Sequence, residues 1–74
     1  MFVTLVPAYG RDYKSQKEVK ADWDAGKDFF INSIGHPDDG RYINKEDAEK
    51  VGGTYNIRYK KLTQICVVKV KKVA

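Results

Sequence analysis

The 74-residue chain has one cysteine, one histidine and one methionine, and its last 21 residues contain no acid. A single thiol, Cys66, cannot close an internal disulfide, which fits a reducing cytoplasm. Cys66 stands amid Ile65, Val67 and Val68, the setting of a buried small hydrophobe. A nucleophile must lie within hydrogen-bond reach of its base, and the pattern does not set the sole imidazole, His36, against this thiol. No apolar run approaches the ~20 residues needed to span a bilayer. The opening Met-Phe-Val-Thr-Leu-Val-Pro lacks the basic flank and length of a signal peptide. The expectation is a cytoplasmic protein without a membrane segment, and the chain shows no internal repeat or low-complexity tract.

Other signatures fail on inspection. Gly26-Lys27 lacks the upstream glycine and the following Ser/Thr of a phosphate-binding loop, since Ala21 and Asp28 occupy those positions. Asp22, Asp24 and Asp28 are spaced like the start of a calcium loop. Gly26 stands where a ligand is needed, Lys27 where the loop needs glycine, and Ser33 where it needs glutamate. His36, Asp38 and Asp39 are crowded into one turn around Pro37 and read as a chance cluster. The expectation is therefore no metal, no cofactor and no catalytic residue.

What remains is enough for one folded domain, residues 1–74. A chain of this size buries roughly 60–65% of its unfolded surface, sufficient for one modest core but not for an elaborate enzyme cleft. An apolar share of 42%, with Trp23, three Phe and five Tyr, argues for folding over disorder. The net charge of +4 conceals an asymmetry: residues 1–53 carry eight Lys or Arg against ten Asp or Glu, and residues 54–74 carry six against none. The positive field is concentrated at one end.

That end is also the richest in strand formers. Tyr55, Ile57 and Tyr59 alternate with Asn56, Arg58 and Lys60, as on a strand with one packed and one wet face. From Thr63 to Val70 both parities are apolar, with Cys66, Val68 and Val70 on one side and Ile65, Val67 and Lys69 on the other. Such a strand is expected to be central in its sheet. A reversal near Lys60 to Thr63 makes the two a hairpin, because one strand through the whole stretch would far exceed the usual ~5–6 residues.

Upstream, Phe2–Val6 reads as a strand stopped by Pro7, placed to pair with the C-terminal strands. Ser15 and Glu18 form a capping-box pattern for a helix over Gln16–Ala25 that buries Val19 and Trp23 and stops at Gly26. Asp28–Ile34 reads as a strand with both faces at least partly covered. After the turn at 35–40, Asn44 caps a short second helix that ends at Gly52-Gly53, with Asp47 at the capping-box position and Ile43 and Ala48 as a hydrophobic staple. The predicted fold is α+β, in the order β-α-β-α-β-β: a small mixed or antiparallel sheet with two helices on one face, ending in a basic hairpin.

The candidate site follows from the charge. Arg58 and Lys60 on the first hairpin strand and Lys69 and Lys71 on the second, with Lys61 and Lys72 extending the patch at its ends, present cations for phosphates, and nearby tyrosines offer rings for stacking. The competing reading is that lysines on exposed strands protect a sheet edge and keep a small protein soluble. The loop Tyr9-Gly10-Arg11-Asp12-Tyr13-Lys14 is a second candidate, because Arg and Tyr anchor interfaces and loops present them freely. Alternatively, Tyr9 and Tyr13 cover the end of the core.

Through Tyr9-Gly10-Arg11-Asp12-Tyr13-Lys14, Gly26-Lys27-Asp28-Phe29 and Asn56-Ile57-Arg58-Tyr59, the chain resembles small accessory proteins, without assigned activity, encoded by tailed bacteriophages and prophages. The resemblance implies synthesis in a bacterial cytoplasm and binding to host machinery, phage nucleic acid or a defence complex. It carries no functional residues with it. The expectation is a non-enzymatic binding module whose partner is nucleic acid or an acidic protein surface. A host-protein modulator and a self-assembling homo-oligomer are the alternatives.

Overall fold

Alternation along the first strand sets the architecture. In β1 (Phe2–Pro7), Val3 and Leu5 are buried while Thr4 and Val6 are half-exposed, the period of two expected of a strand covered on one side. The computed structural model describes residues 2–60 and 64–73. Among these the chain continues through α1 (Gln16–Asp24), β2 (Phe29–Ile31), β3 (Tyr42–Ile43), α2 (Lys45–Val51), β4 (Gly53–Arg58) and β5 (Ile65–Val70). The strands form one mixed sheet in the order β3-β2-β1-β4-β5, with β1 parallel to β4 and the other neighbours antiparallel. The fold is α+β with two helices.

Two expectations about the sheet are corrected. It has five strands, not four, because Tyr42–Ile43 pairs with Phe29 and Phe30. The Ile31 N–H donates to the Arg41 carbonyl and the Gly40 N–H to the Ile31 carbonyl, which closes this hairpin behind the 35–40 turn. The C-terminal strand β5 is an edge strand, not a central one. Its second apolar face is uncovered, and Val67 is 54% exposed. The β4–β5 pairing is antiparallel over six residue pairs, from Gly53↔Val70 to Arg58↔Ile65. Of the reversal expected from Lys60 to Thr63, residues 61–63 lie outside the described residues.

The helix ends follow local chemistry. The Asn44 side chain accepts the Asp47 N–H at 2.9 Å, as a capping residue should. At α1 the expected capping box is shifted: the Ser15 side chain makes no capping bond, and Glu18 Oε2 accepts the Lys14 N–H at 2.9 Å. Gly26, with φ +86, stops α1 one residue beyond the Ala25 cap.

Val19 and Trp23, one helical turn apart, bury the inner side of α1, and Ala48 does so for α2. All three belong to one core cluster with Leu5, Phe29 and Ile57. Trp23 lies 5.9 Å from Phe29 and 5.8 Å from Tyr55, ring centroid to centroid. The helices therefore cover a single side of the sheet. On the other side Phe30 is half-buried, the partial cover expected of that face. The strand is shorter than Asp28–Ile34, and Ile34 is 98% exposed in the following turn.

Candidate nucleic-acid interface

The register of β4 and β5 distributes the basic residues. Buried Tyr55 and Ile57 face the helices, so Asn56 and Arg58 face the open side. In β5, Cys66 and Val68 face inward and Lys69 faces outward, opposite Thr54. Arg58 and Lys69 thus share the uncovered face. Lys60 follows the end of β4, whereas Lys71 and Lys72 follow the opposite end of the antiparallel ribbon. The cations form a stripe along the ribbon, about 20 Å long at ~3.3 Å per residue. Lys61 lies outside the described residues.

Charge pairing separates this stripe from the rest of the surface. Of the eight Lys and Arg before residue 54, Arg11, Lys20, Lys27, Arg41, Lys45 and Lys50 lie in ion pairs. Among the described residues, Arg58, Lys60, Lys69, Lys71 and Lys72 lie in none. None of the ten acids occupies a strand. All sit on helices or in loops, so the charged residues on the described strands, Arg58 and Lys69, are both basic.

The 9–14 loop divides its side chains between the two faces. Tyr9 is 75% exposed and stacks on Tyr42, with centroids 5.5 Å apart and planes 7° from parallel. Phe30 meets Tyr42 edge-on at 5.4 Å. These three rings gather on the uncovered face, beside β1. Tyr9 is the only non-glycine residue with positive φ among those described, at +58, and Gly10 follows at +67. This left-handed pair of residues places the ring outside the core.

Arg11 and Tyr13 turn the other way. The Arg11 guanidinium lies 4.5 Å over the Phe29 ring, its Nε donates to the Ala8 carbonyl at 3.0 Å, and another of its nitrogens donates to the Asp28 carbonyl. Tyr13 is 5% exposed and donates its hydroxyl to Asp22 Oδ2 at 2.6 Å. Arg11 and Lys27 flank the same carboxylate at 3.5 and 3.4 Å. The Tyr13 hydrogen bond, with Lys27 and Arg11, holds Asp22 below the ordinary carboxylate range, and burial followed by the Asp22 bond pushes the Tyr13 phenol up. Of the loop's candidate interface residues Tyr9 is thus exposed, while Arg11 and Tyr13 are committed inside the fold. Tyr55 is buried, and Tyr59 packs partly against the core.

The remaining chemical groups serve local structure. His36 Nδ1 accepts the Asp38 N–H and Asp39 Oδ1 accepts the Ser33 N–H, which braces the 35–40 turn. No group of three or more metal-binding side chains gathers among the described residues. Burial raises the Cys66 thiol pKa. A cleft of about 270 Å³ on the helix side is lined by Val3, Ile31, Ile43, Tyr55 and the His36 turn.

Sequence reading missed Tyr42 and Phe30 as members of the open face. The signal was the parity of Phe29-Phe30, where one ring must face away from whatever buries the other. Comparison of the chain with family models, curated proteins and solved structures finds no match.

Proposed function

We propose that the chain is a small non-enzymatic module that binds nucleic acid with low sequence specificity through its basic C-terminal strands. The observation that carries this reading is the contrast in charge pairing among the described residues: most cations elsewhere are neutralised by a neighbouring carboxylate, and Arg58, Lys60, Lys69, Lys71 and Lys72 lie in no ion pair. An unpaired cation on strands without acids attracts phosphate, and lysine reads phosphate as a point charge without reading sequence. Lys61 adds a sixth charge on sequence grounds.

Fluorescence-anisotropy titration against a labelled duplex at several salt concentrations tests the reading. Six phosphate contacts give log K against log salt a slope of roughly −5. A Lys69→Ala/Lys71→Ala variant lowers the steepness by about 2. Binding that is indifferent to salt, or to this variant, rules the ribbon out. On the resemblance to phage accessory proteins, the setting is a bacterial cytoplasm.

The edge position of β5 favours a second reading. Its outer backbone groups have no neighbouring strand among the described residues, and Ile65 and Val67 lie on the uncovered face. A host protein with an acidic surface, or another copy of the chain, would add a strand there. Nuclease treatment of a lysate pull-down separates the cases: partners lost on digestion favour nucleic acid, and a retained stoichiometric protein favours the modulator. Sedimentation at several concentrations reports self-assembly.

A further inference from the structure

The nucleic-acid reading leaves open which form of the polymer the uncovered face takes, and the rings decide it. Tyr42 pairs with Phe30 and Phe30 with Val6 across β3, β2 and β1. Val6 and Arg58 each follow the parallel Leu5↔Ile57 pair by one residue, and Arg58 pairs with Ile65. The outward residues thus form a row across all five strands, about 19 Å long at ~4.8 Å per strand. Aromatic rings stand at one end of this row, Arg58 stands near the other, and Lys60 follows on the same end of β4.

Resting on the nucleic-acid reading, we infer that this row is a binding site for a single strand, whose bases stack on the outer face of Tyr9 and whose phosphates run toward Arg58 and Lys60. Three observations converge on this. One face of the Tyr9 ring is occupied by Tyr42, yet the residue is 75% exposed, so its opposite face is bare. The Tyr9 backbone holds a left-handed conformation that side chains other than glycine rarely adopt, and this strain places the ring outside the core. The surrounding strands carry cations and no acid, which suits a polyanion. A duplex keeps its bases stacked internally and offers no π-face to such a platform, whereas a single strand does.

The test compares a short labelled single strand with the same sequence as a blunt duplex, titrated against the full chain at low salt. Tyr9→Gly removes the ring and suits the positive φ, so the variant folds, and Tyr9→Phe keeps the ring. Tyr9→Gly and Tyr42→Ala each weaken single-strand binding about tenfold, the scale of one lost base stack. Tyr9→Phe binds as the unmodified chain does, and duplex affinity is unchanged in all three variants. Arg58→Ala weakens both forms. If Tyr9→Gly binds the single strand as the unmodified chain does while Lys69→Ala/Lys71→Ala still weakens binding, the stacking site is overturned and the nucleic-acid reading stands. Absence of binding to either form overturns both. Tyr9-dependent self-association without nucleic-acid binding assigns the face to a second copy and overturns the inference.

Discussion

Tyr9 lies flat on Tyr42 on the side of the sheet that no helix covers, while Tyr13, four residues on, is buried near Phe29 on the opposite side. One short loop thus sends two chemically identical side chains to opposite faces. Their contributions to folding should differ accordingly. Tyr9→Gly loses a ring stack worth about 0.5–1.5 kcal/mol and relieves a left-handed residue costing about 1–2 kcal/mol, so its stability stays within about 1 kcal/mol of the parent. Tyr13→Ala empties a buried site and costs about 3–4 kcal/mol. Urea denaturation of both variants checks this, and equal losses would show that Tyr9 belongs to the core after all.

The division of that loop was not legible in the sequence, because side-chain parity operates only within strands, and the turn at Tyr9 depends on backbone angles that no pattern announces. Within strands parity was reliable: Tyr55 and Ile57 face inward and Arg58 outward, and Cys66 and Val68 oppose Val67 and Lys69. The i, i+4 pair Val19 and Trp23 and the Asn44 cap were readable for the same reason, since each is a local rule. The edge position of β5 was not. An apolar strand face left bare looks the same in sequence as one buried under a neighbour, and only the sheet order distinguishes them. β3 escaped because two residues are too few to show a period, and its identity comes from its pairing with Phe29 and Phe30.

Asp22 ties the 9–14 loop to α1 and should report on it through pH. It accepts the Tyr13 hydroxyl and is flanked by Arg11 and Lys27. Its folded pKa lies below the unfolded value near ~3.9. The stabilisation is therefore complete above that value and is lost as pH falls through the folded pKa. Asp22→Ala costs about 1–3 kcal/mol at neutral pH, the scale of a charge-assisted hydrogen bond. The gap between parent and variant narrows as pH is lowered below ~4. A gap that stays constant down to pH ~2 would remove the carboxylate from the account.

Two glycines at positive φ should tolerate alanine unequally. Gly26 (φ +86) and Gly52 (φ +77, ψ 177) both hold positive φ, so each Ala variant incurs a backbone penalty of about 1–3 kcal/mol, and Gly52 lies in the extended positive-φ region that is essentially glycine's alone. A Cβ at Gly26 meets nothing within 4 Å. At Gly52 it would lie 3.0 Å from Lys72 Cβ and 3.2 Å from the Lys72 backbone nitrogen. The tail there is anchored by the Val73 N–H donating to the Glu49 carbonyl at 2.7 Å, which leaves little room to yield. Gly52→Ala is expected to be the more damaging by about 1 kcal/mol or more, in the range of an overpacked site. Thermal or urea unfolding of the two single variants measures the difference, and equal losses would mean that the tail moves aside.

Cys66 offers a probe of how the edge strand opens. Its side chain is buried, and desolvation raises its thiol pKa, so attack on a disulfide reagent requires exposure first. Cys66 pairs with Ile57 on β4, and β5 has no second strand neighbour among the described residues. Detaching β5 breaks one ladder and uncovers Cys66 and Val68, whereas unfolding the whole domain also disrupts the Leu5, Trp23 and Phe29 core. The smaller opening exposes less surface, and the denaturant dependence of labelling should reflect that difference. Labelling at low urea is therefore expected to be faster than global unfolding allows, with a slope against urea shallower than the equilibrium m-value. A slope equal to the full m-value would mean that β5 leaves only when the entire fold does, and that the edge strand is as firmly held as the centre of the sheet.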